Sequence, residues 1–312
     1  MKIKVILASM LTLIIILSSG VGIGFVLAAD TPASNSGWKQ RIDANRLVWT
    51  EVSPENPLGG ADDFNAILFS EFRNFHETAA PVATRKINDV GIITFQPGQP
   101  LAINKYLDYT IPEYNISVIT KQHIGKETNI FNGDAVVSFT EGGHFYLHRG
   151  STFVKSADVI DQFLNAAYND LKELHTTLWN MSGKKPTQNG PFLDLVCDSS
   201  NNINVFELDQ TATGALNVRA DKDDTIIIKL KGNAFNNYQF YLNGSQLNYY
   251  NIDNIVNRVL WVIDPETISL NAGSTHVIGS VLAPDCDIFF TGNGAIDGTT
   301  IANSIDGGGT ST

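Results

Sequence analysis

The sequence predicts a mainly β protein, a β-solenoid with one long α-helix laid against it. Three observations predict it: a short repeat near the C-terminus, strand-type segments over most of the rest, and a single stretch of helical periodicity. The repeat lies between Arg258 and Ser304. Val259-Leu260-Trp261-Val262-Ile263-Asp264-Pro265 is followed by Ile278-Gly279-Ser280-Val281-Leu282-Ala283-Pro284, and the two prolines stand 19 apart. Asp297-Gly298-Thr299-Thr300-Ile301-Ala302-Asn303 then puts Gly298 the same 19 residues after Gly279, and Gly273 and Gly292 share the offset. At about 3.3 Å per residue, with glycine corners, a segment of this length circles once and lies on its predecessor. One coil cannot bury its own apolar face, so stacking supplies the core. An antiparallel meander with evenly spaced turns gives a similar pattern, and periodicity alone leaves both open. Gly279, Gly292, Gly294 and Gly298 suit corners of positive φ, while Pro265 and Pro284, lacking an N–H, suit strand ends.

In chain order, Lys2 and Lys4 precede an apolar run from Val5 to Ala29 that ends in Val26-Leu27-Ala28-Ala29-Asp30. Residues 1–29 read as a secretory signal with a small-residue cleavage site, favoured by Gly20, Gly22 and Gly24. The rival is an uncleaved anchor, since the run reaches the roughly 20 residues that span a bilayer. Residues 30–56 form a linker and cap, in which Trp38 to Val52 fits a strand closing the first coil. The main domain is assigned to 57–305. Ala61 to Phe75 places Phe64, Ile67, Leu68, Phe69 and Phe72 as a strand or short helix does, and strand is preferred. Val90 to Phe95, Tyr114 to Thr120 and Ala135 to Phe139 carry β-branched and aromatic residues between Gly, Pro and Asn, which is strand chemistry.

Ser156 to Asn180 is the helix. Val159, Ile160, Phe163, Leu164, Ala167, Leu171, Leu174 and Leu178 recur at helical spacing, Ser156 suits the N-cap, and Gly183 suits termination. Its single apolar stripe needs a surface to cover, and the outside of a solenoid sheet provides one. Strands resume at Phe192–Val196, Ile203–Leu208, Leu216–Val218 and Thr225–Leu230, a short helical turn fits Asn251 to Asn257, and 306–312 reads as a flexible tail.

Particular residues also carry a resemblance. Arg258-Val259-Leu260-Trp261, Gly279-Ser280-Val281-Leu282-Ala283-Pro284 and Asp297-Gly298-Thr299-Thr300-Ile301-Ala302 resemble the end of the choice-of-anchor A domain, also described as an ice-binding-like adhesive domain. Asn204 to Leu208 and Asp224 to Gly232 resemble its middle strands, and Leu58-Gly59-Gly60-Ala61-Asp62-Asp63-Phe64-Asn65 its opening. The resemblance implies a right-handed β-helix flanked by a long helix, in a secreted surface protein acting as an adhesive or matrix module. One departure is that Ala80 to Ile87 stands where the family has a glycine-rich strand, which puts the first coil in doubt.

The 312 residues, 43% hydrophobic and 17% charged, have material for a sizeable core. A net charge of −11 and a pI near 4.9 argue against nucleic acid and anionic lipid. Membrane contact is expected only through an uncleaved N-terminal segment. Cys197 and Cys286 are the only cysteines; one disulfide in an oxidising compartment and two buried thiols are equally open. No cofactor or metal is expected. Asp62-Asp63 and Asp221-Lys222-Asp223-Asp224 are candidate carboxylate clusters, of which the second reads as a turn leading into the Thr225 strand in preference to a weak calcium site. His144 and His148 lie on a strand, where a four-residue spacing does not pair them for metal.

These readings give a non-enzymatic adhesive whose flat solenoid face meets a collagen-like extracellular protein, a cell-wall or host glycan, or a second copy. Tyr238, Tyr249 and Tyr250 are the candidate contacts. A carbohydrate-active β-helix enzyme is the alternative, requiring three or more carboxylates on one face. Ice binding would require a threonine or alanine ladder, and neither Asp264, Ala283 and Ala302 nor Val262, Val281 and Thr300 supplies one.

Overall fold

A computed structural model describes residues 47, 49–53, 58–74, 82–88, 116–125, 128–130, 134–141, 145–147, 152–198, 200–212, 214–235, 239–247, 255–273, 276–292 and 294–307. After a short 3-10 turn, Gly59–Asp63, come β1 (Ala66–Arg73), β2 (Val82–Asn88), β3 (Ile116–Ile124), β4 (Thr128–Ile130), β5 (Asp134–Glu141), β6 (Phe145–Leu147) and β7 (Thr152–Val154). The helix α1 (Ala157–Trp179) follows. Then come β8 (Thr187–Asn189), β9 (Phe192–Val196), β10 (Ile203–Asp209), β11 (Ala215–Arg219), β12 (Thr225–Lys231), β13 (Phe240–Leu242) and β14 (Ser245–Gln246). A 3-10 turn, Val256–Arg258, leads to β15 (Val259–Ile263), β16 (Ser269–Gly273), β17 (His276–Ile278), β18 (Ser280–Phe290), β19 (Ala295–Asp297) and β20 (Thr300–Asp306).

The strands stack as parallel coils. From β9 to β15 the chain alternates between two walls: β9, β11 and β13 pair in one sheet, β10, β12 and β15 in the other, which β18 and β20 extend while β17 and β19 pair separately. The main sheet runs β10-β12-β15-β18-β20-β1-β2-β3-β5-β7, parallel throughout. The first described strand, β1, thus lies mid-stack, and the strands after it build outward to β7. The chain returns along α1, then builds from the opposite end until β20 fits between β18 and β1. A meander is excluded, because its neighbours would be antiparallel. The doubtful first coil contains a strand, Val82 to Asn88, paired to both β1 and β3, with a register shift against β1 between Leu68 and Glu71.

The main sheet is buried on both faces, which explains why its strands read as continuous apolar runs rather than alternating ones. One face lines the solenoid interior: Leu68, Val118, Ile228, Trp261, Val281 and Ala302 are among its core residues. The other forms a ladder under the helix, Val262–Leu282–Ile301–Ile67–Ala83–Ile119–Val136, each beside the next. Of the expected helix stripe, all but Val159 are buried, and His175 is added to it. Length fits as well: 23 residues rise about 34 Å, and the span from β15 to β5 is roughly 29 Å of strand spacing.

Several expectations need correction. The 19-residue register holds between β18 and β20, where Val281 faces Thr300, but β15 meets β18 at an offset of 20, Leu260 beside Ser280. A one-residue slip exchanges faces, so Trp261, not Val262, lies beside Val281. Pro284 does not end a strand; it sits inside β18 where the register to β20 breaks between Ala283 and Asp287, as a bulge permits. Gly279 takes φ +105°, whereas Gly292, Gly294 and Gly298 are not in the positive-φ region. Gly298 is required by space instead, because a Cβ there would sit 2.6 Å from the Gly279 backbone. Ser156 occupies the N-cap position without a side-chain cap bond, and Gly183 is needed for its close approach to Glu207 rather than for helix termination. Trp49, placed by sequence in a capping strand, is non-strand and packs edge-on against Phe163 of α1, its indole N–H donating to Asp170 at 2.9 Å.

His175 gives a measurable pH effect. Its Nε2 meets the Ile263 carbonyl at 2.7 Å, and its Nδ1 is buried without a partner. Burial lowers its pKa, Ile263 opposes that, Lys172 on the same helix adds to it, and Asp264 on the sheet opposes it. The unfolded chain therefore takes up the proton first, near 6.5, so stability is complete above that value and falls as pH drops toward the lower native pKa. Thermal melts from pH 7.5 to 5 should show this decline, and His175→Gln should flatten it; an unchanged slope would remove His175 as its source.

Candidate functional site

The second wall, β14-β13-β11-β9-β8, has one face in the core; on the other, Val196 and Arg219 are exposed and Phe192 and Tyr241 half-buried, whereas Asp194 and Asn217 are buried, 6% and 5% exposed. Alternation along each strand decides which side chains appear there. Leu193 and Leu195 of β9, Leu216 and Val218 of β11 and Phe240 of β13 point inward. The opposite parity gives three cross-strand rows on the outside: Phe192 beside Ala215, Asp194 beside Asn217 beside Tyr241, and Val196 beside Arg219. Hairpins close both ends of the wall. At one, Asn243 and Gly244 take φ of 51° and 83°, the positive values that a two-residue turn between antiparallel strands requires.

Asp194 is the electrostatic centre of this face. Its Oδ1 accepts from Asn217 at 2.8 Å, and its Oδ2 from Asn189 at 3.0 Å and Arg219 at 2.7 Å. Burial by itself would raise its pKa, but the donors Asn189, Asn217 and Arg219 outweigh it and hold the carboxyl below its usual range. Asn217 also accepts from the Gly244 N–H at 3.0 Å, so the cluster fixes the turn. Phe192 and Tyr241 pack edge-to-face at 5.0 Å beside it. The result is a rigid patch in which the exposed Arg219 guanidinium and the half-buried Phe192 and Tyr241 rings are held by a buried carboxylate–amide pair, a composition suited to polar macromolecular contact.

The residues singled out from sequence are distributed differently. Tyr238, Tyr249 and Tyr250, and likewise His144 and His148, lie outside the described residues, as do the signal segment 1–29 and the Val90–Phe95 strand. Asp221 to Asp224 is a turn, with the Asp221 N–H donating to Asp224 Oδ2 at 2.7 Å and Arg258 donating to the Asp221 carbonyl. Among the described residues no three His, Cys, Asp or Glu side chains gather as a metal site would need. Asp306, assigned to a flexible tail, ends β20 and accepts from Arg73 at 2.9 Å and Asn74 at 2.8 Å. The outer row Asp194–Asn217–Tyr241 was missed. Its signal was present, one polar residue at the alternate position of each apolar strand, but it acquires meaning only once β9, β11 and β13 are known to be neighbours.

The cysteines are unbridged. Cys197 leaves β9 half-buried among Asp224, Arg258 and Lys184, whereas Cys286 is buried at the irregular stretch of β18 beside Asp287. Burial pushes both thiols up to about 12, with neighbouring Asp224 and Asp287 adding to the effect. Native protein at pH 8 should therefore react slowly with Ellman's reagent and release both thiols in guanidinium. No thiol after denaturation would mean that a bridge had formed.

A family profile matches residues 57–312, described as an ice-binding-like adhesive domain. The chain belongs to that family. Similar solved structures include an ice binding protein from an Antarctic biological consortium, 14% identical, covering 83% of this chain and 89% of that one at a TM-score of 0.37. An ice-binding protein of the Antarctic ascomycete Antarctomyces psychrotrophicus is 13% identical, covering 84% and 100% at 0.34. The DUF3494 domain of a Shewanella frigidimarina ice-binding protein is 13% identical, covering 84% and 96% at 0.32. No curated protein matches the chain. Within the described part of this adhesive-domain chain, no helix is long and apolar enough to cross a membrane.

Proposed function

We propose that this ice-binding-like adhesive domain is a secreted, non-enzymatic surface adhesive with right-handed coils, which grips an extracellular protein or glycan through the outer face of β9, β11 and β13. The single observation that carries this reading is the asymmetry of the two walls. One outer face is occupied by α1, while on the other the buried Asp194–Asn217 pair anchors the exposed Arg219 beside the half-buried Phe192 and Tyr241. A rigid face loses little conformational entropy on contact, so modest polar and aromatic contacts suffice.

Binding of the mature chain to collagen, cell-wall glycan and itself tests the proposal. Arg219→Ala with Tyr241→Ala should weaken capture by about tenfold or more, with the native circular dichroism spectrum retained at the assay temperature. Absence of binding to all three, or binding indifferent to both substitutions, would overturn it. The outer rows Phe192–Ala215, Asp194–Asn217–Tyr241 and Val196–Arg219 contain no threonine array, so they favour adhesion over ice. Thermal hysteresis in the same preparation would reverse that preference.

A further inference from the structure

A cleft of about 600 Å³ opens where α1 ends and the stack begins, at the β10 edge of the main sheet. Trp179, Lys185, Glu207, Asp209, Lys229 and Lys231 line it, with apolar side chains between them. Local bonds already occupy both carboxylates. Glu207 receives Lys229 at 3.0 Å and the Gly183 N–H, and Asp209 receives the Thr211 N–H at 2.8 Å and hydroxyl at 2.7 Å. Lys229 is itself occupied, donating to the Met181 carbonyl at 2.7 Å and lying over the half-buried Trp179 ring, 5.4 Å from its centre. Lys185 and Lys231 differ: both are exposed and neither touches a carboxylate of a described residue, although their charges favour the ionised Asp209, and that of Lys185 the ionised Glu207 as well.

We propose that this cleft binds a short acidic saccharide, a sugar ring lying on Trp179 and its carboxylate meeting Lys185 and Lys231. The part of the indole not covered by Lys229 offers an apolar surface to the C–H face of a sugar. The volume is that of a small-molecule site rather than of a single ion. The net charge of −11 repels a long polyanion at distance, so the ligand is a short uronate-bearing unit. This cleft is separate from the Asp194 face, and neither assignment depends on the other.

Isothermal titration calorimetry of the full chain with tri-galacturonate tests it, with neutral maltotriose and inorganic phosphate as comparison probes. Tri-galacturonate should bind, and Lys185→Gln with Lys231→Gln should weaken it about tenfold or more. Trp179→Phe should weaken it less, and both comparison probes should bind about tenfold more weakly or not at all. Both lysines are exposed, so the double variant should melt with the parent, and Tyr241→Ala should leave the titration unchanged. No heat with tri-galacturonate, phosphate binding as tight as the trisaccharide, or affinity indifferent to the two lysines would each overturn the proposal.

Discussion

A chain ending at Gly298 is expected not to fold. The removed segment contains β20, which lies between β18 and β1 and pairs with both. Ile301 and Ala302 are fully buried, and Thr300, Ser304 and Ile305 nearly so. Burying two isoleucines contributes roughly 3–6 kcal/mol, before counting two lost ladders and the unpaired edges they leave inside the stack. The bonds from Thr300 N–H to the Asn65 carbonyl at 2.7 Å and from Gly307 N–H to the Arg73 carbonyl at 3.0 Å also disappear. Against a total stability of about 5–15 kcal/mol, that loss is decisive. Circular dichroism and limited proteolysis of the truncated chain check it, and a cooperative melt close to that of the full chain would show that the two half-stacks hold without their joining strand. The point version is Ile301→Asp, which puts a carboxylate between Leu282 and Ile67 under the helix and should cost more than about 4 kcal/mol.

Trp261→Ala should be the most damaging substitution inside the coils. Trp261 heads the largest fully buried side chains, meets Phe235 and Phe240 edge-on at 5.1 and 5.9 Å, and donates its indole N–H to the Ile278 carbonyl at 3.0 Å. The cavity costs about 3–5 kcal/mol, and the abandoned carbonyl about 1–3 more. A fall in melting temperature of about 10 °C or more is expected for a chain of this size. Trp261→Phe separates the two contributions, since it keeps most of the packing and loses only the hydrogen bond. If the two variants melt together, the hydrogen bond rather than the cavity dominates.

The repeat, the helix and most strands after the helix were legible because each is a local pattern. The stripe from Ile160 to Leu178 needs only its own 3.6-residue period, and the coils from Val259 to Ala302 need only glycines and apolar runs at near-constant offset. The outer face was legible only in composition. Nothing in the runs Phe192–Val196, Ala215–Arg219 and Phe240–Leu242 says which are neighbours, so the carboxylate of Asp194 and the amide of Asn217 could not be brought together beforehand. The slip from 19 to 20 residues between β15 and β18 had the same origin: the offset depends on how many residues the corner absorbs, a property of backbone path rather than of the apolar run.

By itself the sequence determined that this chain is built of short strands, that a single amphipathic helix covers one of their faces, and that the last third winds in coils. Those follow from periodicity and propensity, which act over a few residues. Only the tertiary structure decided that β1, the first described strand, lies in the middle of the stack and that β20 completes it beside β1. Parallel pairing joins segments more than 200 residues apart in sequence, and the free energy that selects those partners comes from burying both faces of one continuous sheet, a quantity that no local stretch of residues carries.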